Sequence, residues 1–112
     1  MRFIIGGKVV KQDERYTVTD NTTLKNLIVS QTELNPNKST TGHSHAGQEE
    51  VYLFHQGSGT MEIDDNQFQV EVGRVITIPD GAFHQHLFGI YNLHGIKNSY
   101  NSYFPRNSVE NQ

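Results

Sequence analysis

Turn-forming residues cut this chain into pieces too short for helices. Asn35-Pro36-Asn37, Gly57-Ser58-Gly59, Asp64-Asp65-Asn66, Gly73-Arg74 and Pro79-Asp80-Gly81 each follow a run of β-branched and aromatic residues. Pro36 has no backbone N–H to donate, and Asn favours turns. Pro79 presets φ for a turn in which Gly81 accepts a positive φ. No long segment carries a helical period; the runs are short, apolar or alternating, as strands are. They predict strands over Leu24–Leu34, Glu50–Gln56, Thr60–Ile63, Phe68–Val72, Val75–Ile78, His84–Phe88 and Tyr91–Lys97. Many short strands at close spacing define an all-β sandwich or barrel.

A chain of 112 residues has the length of one domain, here 1–112, with room for one modest core. The barrel core is expected over about 22–97. The polar tail, 98–112, is rich in Asn and Ser, and its Tyr100, Tyr103 and Phe104 are available to pack onto the barrel or a partner. Hydrophobic residues at 34% and charged ones at 19% fit a globular chain rather than a disordered one. The net charge of −3 is scattered, so no basic patch points to nucleic acid and no cationic amphipathic stretch to a membrane. The absence of cysteine excludes disulfides, thiolate zinc sites, iron–sulfur clusters and cysteine nucleophiles. The start, MRFIIGGKVV, has an apolar run too short for a signal peptide, and no stretch reaches transmembrane length. The expectation is a cytoplasmic protein.

The chemistry-bearing residues concentrate in GHSHAGQEEVYLFHQGSGT, Gly42 to Thr60. Side chains two apart on a strand share a face, so His43 and His45 point the same way. By the same parity Glu50, Tyr52, Phe54 and Gln56 share one face, and Val51, Leu53 and His55 share the other. His84, His86 and Phe88 share a face further along. Imidazoles together with a carboxylate suit a divalent transition metal such as Mn, Fe, Co, Ni or Zn. Positions left open on such an ion are where water or a substrate binds.

These residues resemble a known family, the small single-domain cupins. The first motif is similar to the family's His-x-His, four residues, Glu, six residues, Gly, here His43, His45, Glu50 and Gly57. The second is similar to Gly, five residues, Pro-x-Gly, two residues, His, here Gly73, Pro79, Gly81 and His84. Two positions depart from the pattern: Asn37 stands where the first motif often opens with Gly, and Phe88 where the second often ends with Asn. The resemblance implies a double-stranded β-helix, the jelly-roll barrel. It implies one divalent metal held by His43, His45, Glu50 and His84, and pairing of two chains as a homodimer. Glu49 is the other carboxylate on offer, but parity and the distance to Gly57 favour Glu50, leaving Glu49 as an exposed or supporting neighbour.

Around that centre, His86 and Tyr52 are the candidate catalytic groups, His86 as acid or base and Tyr52 through its hydroxyl. Phe54, Gln56, Phe88 and His94 are candidate pocket-lining residues. His55, of opposite parity, reads as packing or interface. Phe68, Val70 and Val72 read as core. Three functions follow: isomerase, epimerase or lyase chemistry on a small oxygen-rich substrate, sugar-like or carboxylate-bearing; a non-haem iron dioxygenase with Phe54 and Phe88 as a dry wall; and a non-catalytic ligand-binding module. No Lys or Arg is expected at a metal-facing position, only Lys38 falling near a barrel mouth, which argues against a sugar phosphate.

Overall fold

A computed structural model of the protein describes residues 6–44, 46–88 and 97–105, with the backbone alone at 86–88 and 98. Nine strands and no helix occur among the described residues: β1 (Lys8–Gln12), β2 (Tyr16–Asn21), β3 (Leu27–Leu34), β4 (Glu50–Gln56), β5 (Ser58–Ile63), β6 (Asn66–Glu71), β7 (Val75–Ile78), β8 (His84–Phe88) and β9 (Asn98–Pro105). They form two antiparallel sheets of the expected jelly-roll, one in the order β1-β2-β3-β9-β4-β7 and one in the order β6-β5-β8. No helix among the described residues is long and apolar enough to cross a membrane.

The turns behave as their residues dictate. Gly57, Gly73 and Gly81 have φ of 83°, 91° and 79°, a region closed to most side chains. Asn37 sits at φ 61°, so it supplies the left-handed turn that a glycine would otherwise give. The two-residue loop Asp64-Asp65 joins β5 to β6, with Ile63 opposite Asn66 and Asp64 at φ 52°.

The core lies between the sheets. Tyr52, Phe54, Ile76, Ile78 and Tyr100 from the larger sheet, with Ala82, meet Met61 and Val70 from the smaller one. Phe54 is 2% exposed and its ring lies 4.9 Å from that of Tyr100. Truncating a ring so placed costs about 3–5 kcal/mol. Strand β4 alternates buried Glu50, Tyr52 and Phe54 with exposed Val51 and Leu53, the parity read from the sequence. A second cluster, Tyr16, Val18 and Leu34, joins β2 to β3.

The structure departs from the sequence expectation in four places. Strands β1 and β2 precede position 22, so the sheet starts earlier than the expected 22–97 core. The segment assigned to the tail supplies β9, which lies in the middle of the larger sheet between β3 and β4. Its composition hid it: Ser99, Asn101 and Ser102 are polar yet buried, and the Ser99 hydroxyl accepts a hydrogen bond from Gln31 Nε2 at 3.3 Å. Strand β3 begins at Leu27, and Leu24 is exposed. Val72 is exposed as well, because β6 ends at Glu71 and Val72 enters the Gly73 turn. The expected strand Tyr91–Lys97 lies, up to 96, outside the described residues.

Candidate metal centre

His43 and His84 meet through their backbones. The His43 N–H donates to the His84 carbonyl at 3.1 Å, and the His84 N–H donates to the His43 carbonyl at 2.9 Å. This isolated bridge carries their rings to a centroid separation of 4.3 Å, nearly perpendicular at 80°. The loop before His84 is itself anchored. Asp64 N–H donates to the Phe83 carbonyl at 2.8 Å, and the Asp64 carboxylate accepts from Phe83 N–H at 3.1 Å. Gly42 lies against the Phe83 ring, and a Cβ there would run into it.

Glu50 opens β4 and projects into the same space. One ligand atom from each of His43, Glu50 and His84 lies within 4.8 Å of the others. Glu50 and His84 are 4% and 3% exposed, so the site is closed on their side, while His43 is half-buried. His84 Nδ1 lies 3.3 Å from the Ala82 carbonyl, which can only accept, so Nδ1 carries the proton. Its Nε2, which carries the lone pair in the neutral ring, lies 3.5 Å from Glu50 Oε1. Two electron-pair donors this close in a buried site suit a cation between them. The donor set, imidazole with carboxylate, fits a divalent transition metal.

Other side chains hold these donors. Gln48 is 4% exposed and its Nε2 donates to Glu50 Oε1 at 3.1 Å. It is the supporting neighbour of the carboxylate; Glu49 is exposed. Parity could have found Gln48, two residues before Glu50. Tyr52 packs edge-on to His84 at 5.8 Å and stacks on Tyr100 at 5.0 Å. Burial, ahead of neighbouring negative charge, pushes the Tyr52 hydroxyl well above its ordinary pKa. Tyr100 is raised for the same leading reason. Both are protonated donors at neutral pH.

A cavity of about 180 Å³ opens beside the centre, lined by Lys11, Tyr16, Val18, Thr32, Thr40, Thr41, His43, Tyr52 and Tyr100. Its wall differs from the expected one. Phe54 belongs to the core and not to this cavity. Gln56 is also elsewhere, donating to the Lys97 carbonyl at 3.1 Å. A lysine, Lys11, reaches this cavity beside His43, and Lys38 does not. His45 and His94 lie outside the described residues. His86 and Phe88 are described by backbone alone, opposite Met61 and Gly59 in the β5–β8 ladder. His55 faces away from the centre, half-buried, with Nε2 3.3 Å from Asn101 Oδ1.

Comparison with known proteins agrees with the fold. A family model described as the cupin domain matches residues 30–88. No curated protein matches the sequence. Among solved structures, the polyketide cyclase RemF from Streptomyces resistomycificus superposes with a TM-score of 0.76 at 20% identity, over 98% of this chain and 82% of that one. KdgF from Halomonas sp. gives 0.72 at 11% identity, over 88% and 86%. A predicted oxalate decarboxylase from Thermotoga maritima gives 0.70 at 17% identity, over 80% and 79%. At these identities the likeness shows the fold.

Proposed function

This chain belongs to the cupin family, and on that premise we propose that it is a metal-dependent enzyme of isomerase, epimerase or lyase type acting on a small oxygen-rich substrate. The observation that carries this reading is the convergence of His43, Glu50 and His84 within 4.8 Å, beside a cavity that His43 also lines. His45 is the fourth ligand by motif spacing. When bound, a divalent ion would polarise a substrate hydroxyl, carbonyl or carboxylate.

The chain's own residues supply the rest. The Ala82 carbonyl and Gln48 fix the orientation of His84 and Glu50. Tyr52, protonated and lining the cavity, can donate a hydrogen bond to an oxygen that gains negative charge. His86 remains the proposed acid or base on sequence grounds. The apolar wall that favoured a dioxygenase is weakened, because Phe54 is in the core and three tyrosines line the cavity. That wall also favours catalysis over passive binding, since Tyr52 stands beside a ligand.

The test is elemental analysis of freshly purified protein, followed by anaerobic assay of hydroxy-acid and keto-sugar substrates. A stoichiometric divalent metal with turnover in the absence of O₂ is the expected result. Turnover that consumes O₂ would support the dioxygenase instead, and metal-free protein would remove the reading. A homodimer belongs to the same proposal. Leu53 and Val75, paired across β4 and β7, are both exposed apolar side chains on the sheet. Sedimentation of the wild type and of Leu53→Asp tests it: a monomeric wild type would sink the dimer.

A further inference from the structure

We infer that Lys11 is the anion-binding residue of the cavity, and that the substrate carries a carboxylate. The inference rests on the reading of the centre as a metal site and adds the class of substrate. Its basis is a register shift in β1. Val9 pairs with Thr19, but Lys11 pairs with Val18, leaving Val10 as an extra residue in the ladder. Residues directly opposite in an antiparallel pair share a face. Val18 is 1% exposed and points into the barrel, so its partner does too. In a regular ladder that partner would be Val10, and Lys11 would face outward opposite Thr17. Extra residues of this kind re-aim side chains beside functional sites.

The exchange runs against hydrophobic burial. It leaves Val10 48% exposed and puts the Lys11 side chain on the cavity wall. Burying Val10 instead would remove apolar area from water, so packing alone favours the regular ladder. Lys11 Nζ lies 5.2 Å from the centre of the Tyr16 ring. No ion pair among the described residues involves it. The neighbouring cation is committed elsewhere: Arg15 pairs with Asp13 at 2.8 Å and donates to Thr41 Oγ1 at 2.9 Å. With its oxygen accepting from Arg15, the Thr41 hydroxyl proton is available to another acceptor. Lys11, Thr41, Tyr52 and Tyr100 offer donors and one positive charge, matched to one negative charge. His43 lines the same cavity, so an acid held by Lys11 places its other oxygens toward the metal ligands.

The test compares D-glucuronate with D-glucose as matched probes, titrated by ¹⁵N–¹H NMR into zinc-loaded wild type, Lys11→Met and Lys11→Arg. Glucuronate is expected to bind the wild type more tightly than glucose. Lys11→Met should weaken glucuronate about tenfold, as loss of a hydrogen bond to a charged group implies, and Lys11→Arg should restore most of it. Glucose affinity and zinc content should stay unchanged across the three. Equal glucuronate binding by wild type and Lys11→Met would overturn the inference, as would a wild type that does not discriminate acid from sugar. Repeating the titrations after chelation separates the two readings. Failure to take up zinc counts against the metal centre alone, while a Lys11 dependence that persists in the metal-free protein still supports the anion site.

Discussion

His43 and His84, far apart in sequence, exchange both backbone hydrogen bonds, at 3.1 and 2.9 Å. Two of the proposed ligands are therefore set by main chain, not by the ion. The ligand geometry should survive removal of metal, and removal of one ring should spare the fold. His84→Ala is expected to lower the metal-to-protein ratio about tenfold or more, read by elemental analysis. Chelation should lower the wild-type Tm by roughly 10 °C if metal is held near 100 times its Kd, and leave the His84→Ala Tm unmoved. A wild type indifferent to chelator would contradict the assignment.

Gln48 tests how far the carboxylate depends on its neighbour. Its side chain donates to Glu50 Oε1 at 3.1 Å in a buried site. Gln48→Ala should weaken metal affinity by about 10–100-fold without abolishing binding at saturation. Competition with a chelator of known affinity measures this. An unchanged affinity would mean that Glu50 is held by packing alone.

Tyr52→Phe removes a hydroxyl and keeps the ring that stacks on Tyr100. Metal content and Tm should change little, while kcat for the reaction found in the anaerobic assay should fall by about 10²–10³-fold. Full activity in this variant would remove the Tyr52 hydroxyl as the group that stabilises the developing charge.

The grouping of His43, Glu50 and His84 was legible through two motifs, one around each end of the set, and strand parity supported the choice of Glu50. Glu50, Tyr52 and Phe54 alternate with Val51 and Leu53 in the structure as in the sequence. Lys11 was not legible, because a period-2 reading puts it outside and only the shift in the β1–β2 ladder turns it inward. The β9 strand was missed for a different reason. NSYNSYFP lacks the branched apolar residues that mark strands, and its Ser99 and Asn101 side chains are buried with hydrogen-bond partners on β3 and β4. Parity alone placed Phe54 in the cavity, yet depth along β4 separates Tyr52, which lines the cavity, from Phe54, which fills the core.

His55 gives a pH prediction independent of the metal ligands. Burial, its leading influence, lowers its pKa below the ordinary 6.5. The folded protein thus binds fewer protons there than the unfolded chain. This contribution to stability is complete above 6.5 and is lost as pH falls from 6.5 through the lower folded value. An NMR titration should find His55 below 6.5, and His55→Asn should flatten the acid side of a Tm–pH profile. A midpoint above 6.5 would reverse the sign.

The position of β9 has a consequence for how the molecule is made. It pairs with β3 on one side and β4 on the other, so it is the seam of the larger sheet. During synthesis β3 and β4 emerge long before it and cannot join across the gap it will fill. The growing chain can close hairpins such as β5–β6, but the sheet that carries Glu50 waits for β9 to leave the ribosome. Such non-local pairing slows folding and exposes unpaired edges meanwhile. Completion of this sheet therefore waits on Asn98–Pro105, and a chain stalled before Asn98 would leave unpaired the edges of β3 and β4 that β9 covers.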